Sequence, residues 1–284
     1  MTATAVRFDL DDPASLPDPY PALAALREHE PLHVKGDGSY LVTRYADVVA
    51  LLDDPRATAV GHRGGRFEPD AVGGAPFAHR LRPTVEAMVD HLLDMAGDHH
   101  FDVVRDVAAP LYEHLEPPRH WRATRWPASD LAGNAVLALL NFPDEADRLR
   151  RDPGLACFAV DEVLRYDSPM LAVHRTAEVP IEMPDGVIEA GASIELSIAA
   201  ANHDPRAFVA PEQLLISRLA NPHLSFGLDR WRCEGAALVT LQCEVIVTKL
   251  FERFSWIELD GFLVRKQQPD LHALASLPVR VIPR

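Results

Sequence analysis

The chain has 284 residues, 48% of them hydrophobic and 25% charged, enough for one large globular unit or two small ones. Its formal net charge is −14 and no long basic run offsets it, which argues against nucleic acid or an anionic membrane as a partner. The opening MTATAVRFDLDDPASLPDPYP has no basic region followed by an apolar one, and no window reaches the roughly 18 apolar residues of a membrane span, so a cytoplasmic protein is expected.

Residues 1–56 read as a compact α+β start. The segment ALAALREHE has a helical pattern, PLHVK and SYLVTRY are strand candidates, and YADVVALLDDP is a second helix. GDG at 36–38 supplies the positive φ that a tight hairpin wants. Residues 57–75 are rich in glycine and charge and read as loop. The next zone, 76–160, is helical: RPTVEAMVDHLLDMA carries Val85, Met88, Val89, Leu92 and Leu93 at helix-stripe spacing. Within it, PLYEHLEPPRHWRATRWPASD has broken periodicity and several prolines, which predicts loop or short turns.

The zone 155–284 opens with the helix CFAVDEVLRYDSP, in which Glu162 and Arg165 share a face and can pair. On an exposed face such a pair is worth only about a few tenths of a kcal/mol, so its spacing alone carries no function. Alternating segments follow, and PDGVIEAGASIEL reads as turn, strand, turn and strand, for which a β-hairpin suffices.

The stretch LSFGLDRWRCEG then runs into AALVTLQCEVIVTKLF, a helix apolar on nearly all sides and so expected in the core. Cys157, Cys233 and Cys243 are few, odd in number and widely spaced, which suggests neither a disulfide framework nor a four-cysteine zinc site. Cys233, however, stands just before a helix, where free N–H groups and the helix dipole favour a thiolate. Gly227 and Gly235 let the backbone around it fold back closely. Such a thiolate can ligate a metal or act as a nucleophile, and His223 is the only histidine near it in sequence that could serve as its base. A buried cysteine at a helix cap is the plainer alternative.

The order DEVLRYDSP, HRTAEV, AGASIELSIAAANHDPRAF and NPHLSFGLDRWRCEGAALV resembles the C-terminal half of a bacterial cytochrome P-450, a heme-thiolate monooxygenase. The resemblance extends more loosely to DPYPALAALREHEPLHV, to YLVTRYADVVALLDDPR and to FDVVRDVAAPL. It implies a mainly α fold with a smaller β part, a shortened form of the family's fold over 1–284. It implies that Cys233 is the axial iron ligand in a loop framed by Phe226, Gly227 and Gly235. Arg175 is then expected near a heme propionate, and Glu162 with Arg165 is the family's buried pair. Heme held by a thiolate activates O₂ for insertion into a small organic substrate, with electrons from a ferredoxin-type partner.

The chain departs from the family's pattern at several points. Asp229 replaces the loop's second glycine, and Trp231 replaces the basic residue two before the cysteine, leaving Arg230 or Arg232 as the substitute propionate partner. Glu234 stands where an apolar residue would face the porphyrin, and a carboxylate beside a thiolate repels it. Gln213 occupies the place of the arginine expected to complete a triad with Glu162 and Arg165. LAGN at 131–134 resembles the entry to the family's long central helix but lacks its acid–threonine pair. About twenty residues replace several roofing helices before it, and FAHRLRPTVEAM joins the start of a heme-facing helix to a later one, with His79 and Arg82 as candidate propionate contacts.

Two functional expectations follow. In one, the chain binds heme through Cys233 and works as a reduced monooxygenase; in the other, it is a heme-free relative serving as partner to another biosynthetic enzyme, such as a glycosyltransferase. The histidines of DHH at 98–100, with His114 and His120, lack helical metal spacing with a nearby carboxylate and are poor metal ligands as a set. Trp121 and Trp126 suit either a docking patch or a satellite core.

Overall fold

The computed structural model describes residues 18–59, 75–115, 128–228, 232–233, 235–268 and 270–284. The loop segment 60–74, the segment 116–127 with Trp121 and Trp126, and Asp229, Arg230, Trp231 and Glu234 lie outside the described residues.

Helix α1 (Tyr20–His29), the hairpin of β1 (Leu32–Val34) and β2 (Tyr40–Val42), and helix α2 (Tyr45–Asp53) form as their patterns require. The hairpin turn closes with Gly38 at φ +85°, and the Asp37 carboxylate accepts from the Ser39 N–H at 2.9 Å. The zone read as loop holds a strand, β3 (Ala57–Ala59), because its three small or β-branched residues pair with a strand more than a hundred residues later.

Helix α3 (Ala75–Ala96) buries Val85, Val89 and Leu93, one stripe at 3.6-residue period, while Met88 and Leu92 sit at the margin. Strand β4 (His100–Asp102) ends at Asp102, whose carboxylate caps the π-helical turn Val103–Ala108 by accepting from the Val104 and Arg105 N–H groups at 2.9 and 3.0 Å. That turn runs straight into α4 (Ala109–His114), so PLYEH is helical and not loop. Pro110 falls where the π-helical turn hands over to α4, just after the Ala109 N–H that still reaches the Val104 carbonyl.

Helix α5 (Ala128–Asn141) crosses the core, and α6 (Pro143–Arg151) follows with Asp144 and Glu145 in its first turn and Arg148, Arg150 and Arg151 in its last, each set opposing the helix dipole. Helix α7 (Ala156–Tyr166) leads to β5 (Ala172–Ala177), β6 (Ile181–Met183), β7 (Gly186–Ile188), β8 (Ser193–Ser197) and α8 (Ile198–Asn202). The expected hairpin of the last two strands does not form. β7 turns back on β6, and β8 enters a five-stranded sheet ordered β1-β2-β8-β5-β3, parallel to β2 and antiparallel to β5.

Helix α9 (Ala236–Arg253) runs through the core with Leu241, Cys243, Ile246, Val247, Leu250 and Phe251 buried. It lies alongside α3, the two joined by Arg82 to Glu244 at 2.6 Å, Lys249 to Asp90 at 2.8 Å and Arg253 to Asp94 at 2.6 Å. The chain ends in β9 (Phe254–Leu259), β10 (Val264–Arg265), β11 (Leu274–Ser276) and β12 (Pro278–Pro283), with a three-stranded sheet ordered β4-β12-β9. The architecture is mainly α with a smaller β part, as the sequence predicts. One apolar cluster is built on α3, α5, α7 and α9, and a second on the five-stranded sheet and α2. No helix among the described residues is long and apolar enough to cross a membrane.

Candidate functional site

The loop 224–235 spans the two clusters. Leu224 and Leu228 pack into the sheet cluster, while Phe226 and Cys233 pack into the helical one. Gly227 takes φ +74°, the left-handed turn that only glycine adopts without strain, and its N–H donates to the Leu224 carbonyl at 2.8 Å. The Cys233 N–H then donates to the Phe226 carbonyl at 2.8 Å, which fixes the cysteine just ahead of α9. Its side chain is half-buried. A Cβ added to Gly235 would sit 3.8 Å from Sγ, at ordinary contact distance, so the glycine packs beside the sulfur.

The base of this loop is bolted to α7 and α8. The Asn202 side-chain amide accepts from the Leu224 N–H at 2.8 Å and donates to Ser225 Oγ at 2.9 Å. Ser225 Oγ in turn donates to the Leu164 carbonyl at 2.5 Å. His223, the candidate base, is turned away from that role: Nε2 meets Asp161 Oδ1 at 3.1 Å and Nδ1 accepts from the Ser225 N–H at 3.3 Å.

Beneath lies the Glu162–Arg165 pair, which is not a surface ion pair. Their side chains are 1% and 0% exposed and bond in two parallel contacts, Nη2 to Oε1 at 2.8 Å and Nε to Oε2 at 2.9 Å. Arg165 also donates to the carbonyls of Asn202, Pro211 and Gln213 at 3.1, 2.8 and 2.9 Å. The expected vacancy at Gln213 is corrected here. Gln213 contributes its backbone carbonyl, and Arg218 supplies the third charge, its Nε 2.9 Å from Glu162 Oε2. The Leu215 N–H completes the carboxylate's partners at 3.0 Å. Sequence reading passed over Arg218 because it stands five residues beyond the position inspected; an arginine between the hub and the cysteine loop was the available signal.

Arg175, on β5, is 6% exposed and donates Nη1 to the His174 carbonyl at 2.9 Å; burial lowers its pKa from the ordinary arginine value. Arg232 is exposed next to the thiol, and His79 is exposed near the start of α3. Arg82 is engaged with Glu244 on α9 and so is taken up by helix packing. Cys243 is fully buried, and burial followed by the neighbouring Glu244 charge pushes its thiol pKa far up, which keeps it protonated and inert. Among the described residues no group of three or more His, Cys, Asp or Glu side chains could hold a metal ion.

The donor set fits a heme held by one thiolate. A single soft ligand stands at a helix start beside a glycine, and a buried guanidinium is the group suited to a carboxylate of the porphyrin. Asp130 in the first turn of α5 is fully buried and accepts from Lys266 Nζ at 2.5 Å, and Asn134 one turn on donates to the carbonyls of Asp167 and His272 at 3.0 and 2.6 Å.

Comparison with known proteins points the same way. A cytochrome P450 family model matches residues 156–281. The chain is 35% identical over 149 residues to cytochrome P450 CYP199A2 of Rhodopseudomonas palustris, covering 52% of this chain and 36% of that protein. It is 36% identical over 151 residues to the biotin biosynthesis cytochrome P450 of Bacillus subtilis, covering 53% and 38%. The matched part thus spans little more than a third of those relatives' length. In fold the chain is similar to CalO2, with a TM-score of 0.86 at 24% identity over 98% of this chain and 100% of the other. It is also similar to P450BioI in complex with hexadec-9Z-enoic acid ligated acyl carrier protein, with a TM-score of 0.84 at 22% identity over 94% and 99%. The cysteine-loop half of the chain is thus similar in sequence to the cytochrome P450 family, and the fold over nearly the whole chain is that of the P450 structures.

Proposed function

We propose that the chain is a heme-thiolate protein with Cys233 as the iron ligand, acting as a monooxygenase on a small organic substrate of the natural-product type. The observation that carries this reading is the closed loop in which the Cys233 N–H bonds the Phe226 carbonyl at 2.8 Å and the sulfur stands against Gly235 at the start of α9. Relatives named as the monooxygenase PikC of Streptomyces venezuelae and the polyketide biosynthesis P450 PksS of Bacillus subtilis, 36% and 37% identical over 155 residues, support the substrate class. All four relatives cited are named as cytochromes P450, which favours this reading over a heme-free partner protein.

When bound, heme supplies the iron at which oxygen is activated, and a thiolate ligand favours cleavage of the O–O bond. The protein's part is to hold. Cys233 would offer its sulfur from a loop held by its N–H bond to the Phe226 carbonyl, and Arg175 would offer a buried cation to a propionate with Arg232 as a second. His79, exposed near the start of α3, would be a further contact for a propionate. Electrons come from a ferredoxin-type partner docking on the face that carries Cys233. The segment from Leu131 on has no acid–threonine pair and Asp130 is held by Lys266, so this chain would supply protons poorly, and peroxide would be expected to serve it better than a reductase.

The test is the absorption spectrum of the reduced, heme-reconstituted protein under carbon monoxide. A strongly red-shifted Soret band is expected, lost in Cys233→Ala and kept in Cys243→Ala. Absence of any Soret band in folded protein, or equal loss from both variants, sinks the assignment.

A further inference from the structure

The geometry points to His223 as a positioning residue for the Cys233 loop, the link through which α7 holds Phe226 and with it the cysteine peptide. Cys233 as ligand belongs to the function proposed above and the inference rests on that reading for its purpose, but the link itself is a property of the polypeptide.

Three contacts meet on one ring that is only 9% exposed. Nε2 faces Asp161 Oδ1 at 3.1 Å, so this nitrogen carries the proton and donates it to the carboxylate. Nδ1 accepts from the Ser225 N–H at 3.3 Å, pinning the backbone two residues on. The ring also stands edge-on to the Phe226 ring, with centroids 6.0 Å apart and planes at 61°. The Phe226 carbonyl is the acceptor for the Cys233 N–H at 2.8 Å, so a shift of Phe226 is passed directly to the residue that bears the sulfur. Both ring nitrogens are used by this arrangement, which leaves neither for a proton on Sγ.

The position of Asp161 explains why a histidine is wanted. Asp161 and Glu162 are adjacent on α7 and point to different tasks. Glu162 gathers Arg165, Arg218 and the Leu215 N–H within the interior, upstream of the loop, while Asp161, half exposed, reaches His223 at the loop's own start. Two successive carboxylates on one helix therefore fix the chain on both sides of the segment 219–222. Ser225 and Asn202 anchor the backbone at 224–225, but the His223 ring is the side chain that carries the tether on to the ring of Phe226.

The experiment reads amide hydrogen exchange at single-residue resolution in the heme-free full chain and, separately, the red-shifted carbon monoxide band after reconstitution with heme. In His223→Ala the Cys233 amide is expected to exchange about tenfold faster, the factor that one lost hydrogen bond is worth, while the Val89 and Val247 amides of α3 and α9 are unchanged. Asp161→Ala gives the same effect, and the double variant gives no more than either single one, because both cut one tether. His223→Gln, which keeps a donor for Asp161 but has no ring to set against Phe226, restores slow exchange only in part. In the reconstituted protein the share of the red-shifted band falls in His223→Ala and returns only in part in His223→Gln. Unchanged Cys233 exchange in the alanine variants, additive effects, or an equal rise at Val89 overturns the inference. If wild-type protein never shows a Soret band, the heme reading fails and the exchange cycle alone decides whether the tether exists.

Discussion

Arg218 Nε lies 2.9 Å from Glu162 Oε2, so a carboxylate sealed in the interior is met by two guanidinium groups, that of Arg165 from its own helix and that of Arg218 from the segment leading to the cysteine loop. Arg218 is itself fastened by donating Nη1 to the Val209 carbonyl at 2.8 Å. A hub of this kind contributes more by fixing geometry than by raw stability, since desolvating the charges offsets much of their attraction.

Replacing Arg218 by methionine therefore leaves Glu162 with one fewer charged donor and is expected to lower stability by about 1.5–3 kcal/mol, read from the urea unfolding midpoint. Gln213→Ala, which spares the backbone carbonyl that Arg165 uses, is expected to stay within about 0.5 kcal/mol of the parent. Reversed magnitudes would return the triad to Gln213.

Lys266→Met strands Asp130 in the interior without its cation. The expected loss is about 3–5 kcal/mol, and the double change Asp130→Leu with Lys266→Met recovers most of it because nothing charged remains buried. Burial already raises the Asp130 pKa from its ordinary value against the pull of Lys266, so the single variant loses less at acid pH than at neutral pH.

At Gly133 on α5 an added Cβ would stand 3.0 Å from Val104 Cγ2 and 3.4 Å from Leu274 Cβ, both in the packed core. Gly133→Ala gains about 1 kcal/mol of helix propensity and loses about 1–3 kcal/mol to overpacking, so a net drop in thermal midpoint is expected. A rise in the midpoint would show that α5 has room to move away from the turn at 103–108.

The His174–Asp270 contact, Nε2 to Oδ2 at 2.7 Å, raises the His174 pKa above its ordinary 6.5, with burial and Lys35 opposing. A raised histidine pKa adds stability that is fully present below the unfolded value and fades as pH climbs through the folded one. Wild type should accordingly exceed His174→Gln in stability at pH 5.5–6, with the gap closing as pH rises above about 7. A gap that widens with pH would refute the clasp.

The helices were legible because their signals are local. The stripe of Val85, Val89 and Leu93 and the apolar run of α9 announce themselves within one or two turns, and they fold as predicted. Strand partners were not, since β8 is chosen by β2 and β5 and β3 by β5, pairings that no turn residue encodes. The same holds within the site. Cys233, Gly227 and the Glu162–Arg165 pair are visible as spacing, whereas Arg218 to Glu162 and His223 to Asp161 join residues 56 and 62 positions apart. The helix at PLYEH was hidden by Pro110, which reads as a breaker until its place in the first turn is known.

The loop that alternates between the two apolar clusters also sets how the molecule should come apart. With Leu224 and Leu228 in one core and Phe226 and Cys233 in the other, neither core can melt without dragging the loop from its seat. The loop is a seam, and the environment of the Cys233 sulfur becomes a gauge of cooperativity: if sheet and helices unfold together, the thiol is released in one step with them, and if they part company, it is released with whichever goes first.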